Sequence, residues 1–245
     1  MDTFVVSIGI FLLVIGSSII NNQGINEKIE YYALFISLCT FIFYFLQILS
    51  IKIIHFSILI VVLLPLLIVY YFGFTIAILF TIASFISLIY TDTLITNKII
   101  LRNNIFLKPI SISLVWTILG LIIPLYYSEN SFDQMLILNA LNIFAFIFIL
   151  CLLCDKEDVK QDKNAGLITL PLKYQKLIDL LIPIFLILLI IFQLFLKIDF
   201  IFQLVNIITI ALLLLYIINF KKRKKMILDL SIGLMGGLQI LANYI

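Results

Sequence analysis

Charge is scarce in this chain. Asp, Glu, Lys and Arg make up 12% of its 245 residues, about half the share of an ordinary soluble domain. Between Glu30 and Asp92 there is no acidic residue at all. Hydrophobic residues supply 64% of the chain, and the mean hydropathy is +1.27. A water-soluble fold has nowhere to hide so much apolar surface, so the solvent of this fold is expected to be lipid. Histidine occurs once and cysteine three times, which argues against a His/Cys metal cluster. Cys151 and Cys154 form a C-x-x-C, but no second pair stands beside it and His55 is far off in sequence. The thiols read as small apolar groups in a helix, and His55 as an interfacial residue. Internal repeats and Pro/Gly/Ser-rich linkers are absent, and so are the short alternating segments of a β-barrel. A single all-helical domain over residues 1–245 is expected. The stretch "MDTFVVSIG" carries an acid where a signal peptide carries bases, so the first apolar run is expected to be retained.

What the chain does have is apolar runs of roughly 17–22 residues, long enough to cross a bilayer as helix. They fall at 3–20, 31–51, 53–72, 73–91, 109–127, 133–154, 176–196, 200–220 and 226–245. This predicts an all-α integral membrane protein, a bundle of about nine transmembrane helices. Eight spans is the competing count, if one closely joined pair is a single kinked helix. Basic residues decide between the two. With nine spans, the loops after the second, fourth, sixth and eighth share one side. They hold Lys52, then Lys98, Arg102 and Lys108, then Lys156, Lys160, Lys163, Lys173 and Lys176, then residues 221–225, "KKRKK". Those are 14 of the 16 basic residues, with only Lys28 and Lys197 opposite. The expected placement is therefore the cytoplasmic membrane, with the N-terminus and these loops cytoplasmic and the C-terminus outside. The "KKRKK" cluster sits between two spans and reads as a topology signal. No nucleic-acid partner is expected.

The polar segment 151–171, "CLLCDKEDVKQDKNAGLITLP", stands out against this background. If the sixth span stays helical past Cys154, then Asp155, Asp158 and Asp162 fall within an arc of about 60° on one face. Like charges on one face repel, and a helix C-terminus is a poor place for anions. A bound divalent cation offsets both penalties. Oxygen-only donors suit Mg²⁺, which commonly keeps positions for water and substrate phosphate. A solvated loop of mixed charge is the other reading of these residues. Lys98, Arg102 and Lys160 are the basic side chains placed to contact a phosphate.

The pattern Asp155-x-x-Asp158-x-x-x-Asp162-x-x-x-Gly166-x-x-Thr169-x-Pro171 resembles the second aspartate-rich motif of the UbiA superfamily of intramembrane prenyltransferases. In that family the motif follows the sixth of nine helices, as it does here. "NNIFLKPISISLVW", with Lys108 and Trp116, is similar to the start of the family's fifth helix. "ILDLSIGLM", with Asp229, is similar to the start of its last. The resemblance implies a Mg²⁺-dependent enzyme of the cytoplasmic membrane face. It would move an isoprenyl group from its diphosphate to a lipophilic or aromatic acceptor. Asp155, Asp158 and Asp162 would be its catalytic and metal-binding residues.

One part of the family pattern is missing. The first aspartate motif belongs around residues 44–56, which read "YFLQILSIKIIHF" and offer only Gln47, Ser50, Lys52 and His55. Three accounts fit the gap. A single metal on the Asp155 motif suffices, with Lys52 or His55 pairing with phosphate; or Asp92 lends a carboxylate; or the fold survives without transfer. The last corresponds to a catalytically silent homologue that carries an isoprenoid or lipid, or to a small transporter. Against a transporter, the ionisable residues gather at the membrane edge, and Pro65, the clearest mid-span breaker, has no charge near it.

Overall fold

A computed structural model of the chain describes residues 3–19, 27–48, 64–91, 104–129, 134–164, 166, 168–196, 200–219, 225–242 and 244. Every described element is helical, and there is no strand among the described residues. Long runs of Ile, Leu and Phe leave the backbone to satisfy its own hydrogen bonds, which a helix does segment by segment. In chain order the helices are α1 (Thr3–Ile19), α2 (Glu27–Ile48), α3 (Leu64–Phe72) and α4 (Phe74–Thr91). After these come α5 (Leu107–Thr117), α6 (Ile123–Glu129), α7 (Gln134–Glu157) and α8 (Val159–Asn164). The last three are α9 (Leu170–Gln193), α10 (Phe200–Asn219) and α11 (Lys225–Ala242). Among the described residues, four stretches are long and apolar enough to cross a membrane: Leu107–Tyr127, Leu136–Glu157, Leu170–Gln193 and Phe200–Ile217. Val5–Ile19, Phe74–Ser87 and Leu230–Ala242 are apolar but shorter.

The surface is apolar where a soluble protein would be polar. Tyr70, Phe74, Leu180, Leu194, Phe195 and Phe200 are exposed, while Ser113, Gln193, Asn206 and Gln239 are buried. Such a distribution is compatible with a membrane protein, whose helices gain nothing by hiding Leu from lipid but must satisfy polar groups inside.

Three joints hold the bundle. First, α1 lies against α11 at backbone contact. A Cβ on Gly16 would fall 2.6 Å from the Gly236 carbonyl oxygen, and one on Gly236 would fall 2.3 Å from the Leu12 backbone, so glycine is required at both. Second, α5 and α6 are joined through a π-helical turn at Ile118–Ile122. Its loosened backbone offers two carbonyls to neighbours: Ser17 Oγ donates to Gly120 O at 2.8 Å, and the Tyr32 hydroxyl to Leu119 O at 3.1 Å. Third, α7, α9, α10 and α11 close a ring, each packed on the next. Inside it, Gln239 Nε2 donates to Asn206 Oδ1 (2.9 Å) and Asn206 Nδ2 donates to Gln193 Oε1 (3.3 Å). The chain of amides thus links three helices by side chains that water does not reach.

Candidate functional site

The sequence motif sits where α7 hands over to α8. The expected single helix through Asp155, Asp158 and Asp162 is instead bent at Asp158, between α7 and α8. Helical hydrogen bonds persist on both sides of the bend. Asp158 N donates to Cys154 O (3.0 Å), and Asp162 N donates to Asp158 O (2.8 Å). Past α8, Gly166 adopts φ +70°, a conformation that a side chain disfavours, and its N–H donates to Lys163 O at 3.2 Å. The chain then runs extended into Thr169, and α9 begins at Leu170 with buried Pro171 in its first turn. Gly166 and Pro171 are thereby explained as turn and helix start. Thr169 is buried, and its hydroxyl has no hydrogen-bond partner among the described residues. The span expected from residue 176 is helical from Leu170, but Tyr174 departs from helical geometry (φ −130°, ψ 43°), so the uninterrupted helix begins after it.

Lys108 meets this segment from α5. The start of α5 is organised by Asn104, whose Oδ1 accepts the backbone N–H groups of Phe106 (3.1 Å) and Leu107 (3.2 Å). Those are donors that a helix start leaves without intrahelical partners. Pro109 follows in the first turn, where its missing N–H costs nothing. Ser111 Oγ donates back to Lys108 O at 3.0 Å. With its backbone held, Lys108 places Nζ 2.6 Å from Asp155 Oδ1 and 3.3 Å from Asp162 Oδ2. The group is well hidden: Lys108 is 7% exposed, and Asp155 and Asp162 are 6% each. Either carboxylate buried alone would be strongly destabilising, so the shared ammonium is what makes their burial tolerable.

The three aspartates are therefore not equivalent. Asp155 and Asp162 share one cation position, whereas Asp158 lies at the bend and is half-buried. Lys160 is exposed on α8. Lys98, Arg102 and Asp92 lie outside the described residues, as do Ser50, Lys52 and His55 of the degenerate first motif. Asp229 falls in the first turns of α11, with its side chain not described. Trp116 is buried two turns beyond Lys108 on α5. A second ion pair, Lys156 with Asp179, ties α7 to α9 at the more exposed edge of the motif.

Mg²⁺ is the cation that the resemblance implies. Among the described residues no group of three or more His, Cys, Asp or Glu side chains gathers as a metal cluster. What converges is a pair of hard oxygen donors on a position already chosen by a cation. Mg²⁺ is often held by one or two carboxylates, with water and substrate phosphate completing its shell. The pair fits it in donor type and number.

The phosphate contacts expected from the sequence are Lys98, Arg102 and Lys160, whereas Lys108 stands there only within a family-like stretch. The signal that marks Lys108 was present: a lysine beside proline at the head of an apolar run must find a partner or reach water. No known protein family, curated protein or solved structure matches this chain.

Proposed function

We propose that the chain is an integral membrane protein that transfers an isoprenyl group from its diphosphate to a lipophilic or aromatic acceptor, with Mg²⁺ as cofactor. The observation that carries this reading is the burial of Asp155 and Asp162 around one cation position at the end of an apolar bundle. Folding alone gains little from such an arrangement, since a well-packed apolar pair is often as stable as a buried ion pair. The motif's likeness to UbiA supplies the substrate class. A nine-span topology in the cytoplasmic membrane is supported by the apolar runs and by the 14 of 16 basic residues on one side.

In this reading Asp155 and Asp162 hold Mg²⁺, and Asp158 adds negative charge beside them. Mg²⁺, when bound, neutralises the charge that develops on the diphosphate as the allylic C–O bond breaks. Lys108 supplies a compact cation for a phosphate oxygen, with Lys98, Arg102 and Lys160 as further candidates for the same contact. Buried Leu152, Leu153 and Trp116, in the turns next to the cluster, keep water from the reacting carbon.

The absence of any acid between Glu30 and Asp92 favours a second reading, a silent homologue that binds an isoprenoid without turning it over. Incubating the purified protein with radiolabelled farnesyl diphosphate, Mg²⁺ and a panel of phenolic and lipid acceptors separates the two. Labelled product that disappears in Asp155→Ala supports transfer. Metal-dependent binding with no product over the whole panel supports the silent reading. Binding indifferent to metal and to Asp155 sinks both.

A further inference from the structure

We infer that Lys108 is a partner-switching residue. It holds Asp155 and Asp162 when the site is empty and passes to a phosphate oxygen when metal and diphosphate arrive, so the two ligands bind interdependently. The inference rests on the proposed diphosphate site and concerns how that site loads.

The cation position between the two carboxylates is already taken by the Lys108 ammonium. A divalent ion arriving alone must displace that ammonium and strand it in a place where almost nothing reaches water. A diphosphate arriving alone meets a lysine whose charge is already shared between carboxylates, with Asp158 close by to repel it. When both arrive, every charge keeps an opposite partner. The metal takes the carboxylates, the ammonium takes a phosphate oxygen, and no ion is left bare. The residue type suits the exchange. Lysine carries a compact charge with rotatable donors on a flexible stem, whereas a rigid guanidinium fork would favour one fixed pairing. The backbone beneath it is held by the Asn104 turn and the Ser111 hydrogen bond, so the stem can swing without moving α5.

Coupling of this kind is reciprocal: whatever diphosphate does for metal affinity, metal does for diphosphate affinity. The test uses Mn²⁺ as the metal probe in equilibrium dialysis against detergent-purified full-length protein, with and without inorganic pyrophosphate. Binding is corrected for the manganese–pyrophosphate complex in solution. The same titrations are run with farnesyl diphosphate and with added phosphatidylglycerol, so that a diphosphate and a lipid headgroup are told apart. Wild type should hold Mn²⁺ about tenfold or more tightly when pyrophosphate is present. Lys108→Met should keep only the smaller gain that direct metal–phosphate contact supplies, because the ammonium's share of the coupling is gone. Lys108→Gln, which keeps a polar side chain without the charge, carries the same expectation should the methionine variant fail to fold. Mn²⁺ affinity unmoved by pyrophosphate in wild type overturns the switch and leaves the diphosphate site standing, provided farnesyl diphosphate binds. Coupling as large in both Lys108 variants as in wild type overturns it as well. Failure of pyrophosphate and farnesyl diphosphate to bind under any condition overturns the switch and the proposed function together. Phosphatidylglycerol reproducing the pyrophosphate effect overturns the assignment to diphosphate.

Discussion

Lys108 faces two carboxylates, and removing its charge leaves both buried without a counter-ion. Lys108→Met is expected to lower stability by about 3–5 kcal/mol, read as a fall in the thermal midpoint in detergent. The triple variant Lys108→Met, Asp155→Asn, Asp162→Asn should recover much of that loss, because it removes the stranded charges. A triple variant no more stable than the single would show that the ammonium contributes little as a counter-ion. The ion pairs with Lys108 rank the aspartates. Asp155→Asn and Asp162→Asn should each weaken Mg²⁺-dependent diphosphate binding more than Asp158→Asn, and equal losses would contradict the ranking. This ranking was not legible in the sequence. Helical periodicity puts all three side chains on one face, and only the ion pairs with Lys108 distinguish Asp155 and Asp162. Lys108 was likewise hidden as a partner, because it lies 54 positions from Asp162 and no local spacing links them.

At the scale of elements, α9, α10 and α11 are bound by the amide chain Gln239–Asn206–Gln193. Gln193 Nε2, Gln239 Oε1 and, on α7, Asn142 Oδ1 are buried without hydrogen-bond partners among the described residues. Asn142 is level with Gln193. Lys156 pairs with Asp179 across α7 and α9, and Asn142 and Gln193 each lie 14 residues further along, about 21 Å at the helical rise. Asn206→Leu cuts the middle of the chain and should cost about 1–3 kcal/mol by orphaning both neighbours. Replacing Gln193, Asn206 and Gln239 together by Met, Leu and Met should cost less than the single change, and thermal melting decides it. The helices were largely legible, because runs of Ile and Leu bounded by charge leave a helix little choice of length, and among the described residues four are long and apolar enough to cross a membrane. What joins them was not: the Gly16–Gly236 contact and the π-helical turn at Ile118–Ile122 depend on a neighbour's shape rather than on local pattern.

Across the whole molecule, the proposed nine-span topology puts 14 of the 16 basic residues on one side and so predicts an orientation. A cytoplasm-active reporter inserted after Lys222 should be active and one inserted after Lys197 silent, and the reverse pattern would invert the proposed topology. The motif segment would then face the wrong compartment for a cytoplasmic diphosphate. The central claim is narrower than topology: Asp155, Asp162 and Lys108 form a site for metal and diphosphate. It is tested most directly by the affinity of the purified protein for farnesyl diphosphate, measured with Mg²⁺ and with chelator, in wild type and in Asp155→Asn. The expected result is binding in wild type that falls about tenfold or more on chelation and is lost to the same extent in Asp155→Asn with Mg²⁺ present. Affinity that ignores both the metal and the carboxylate would contradict the claim.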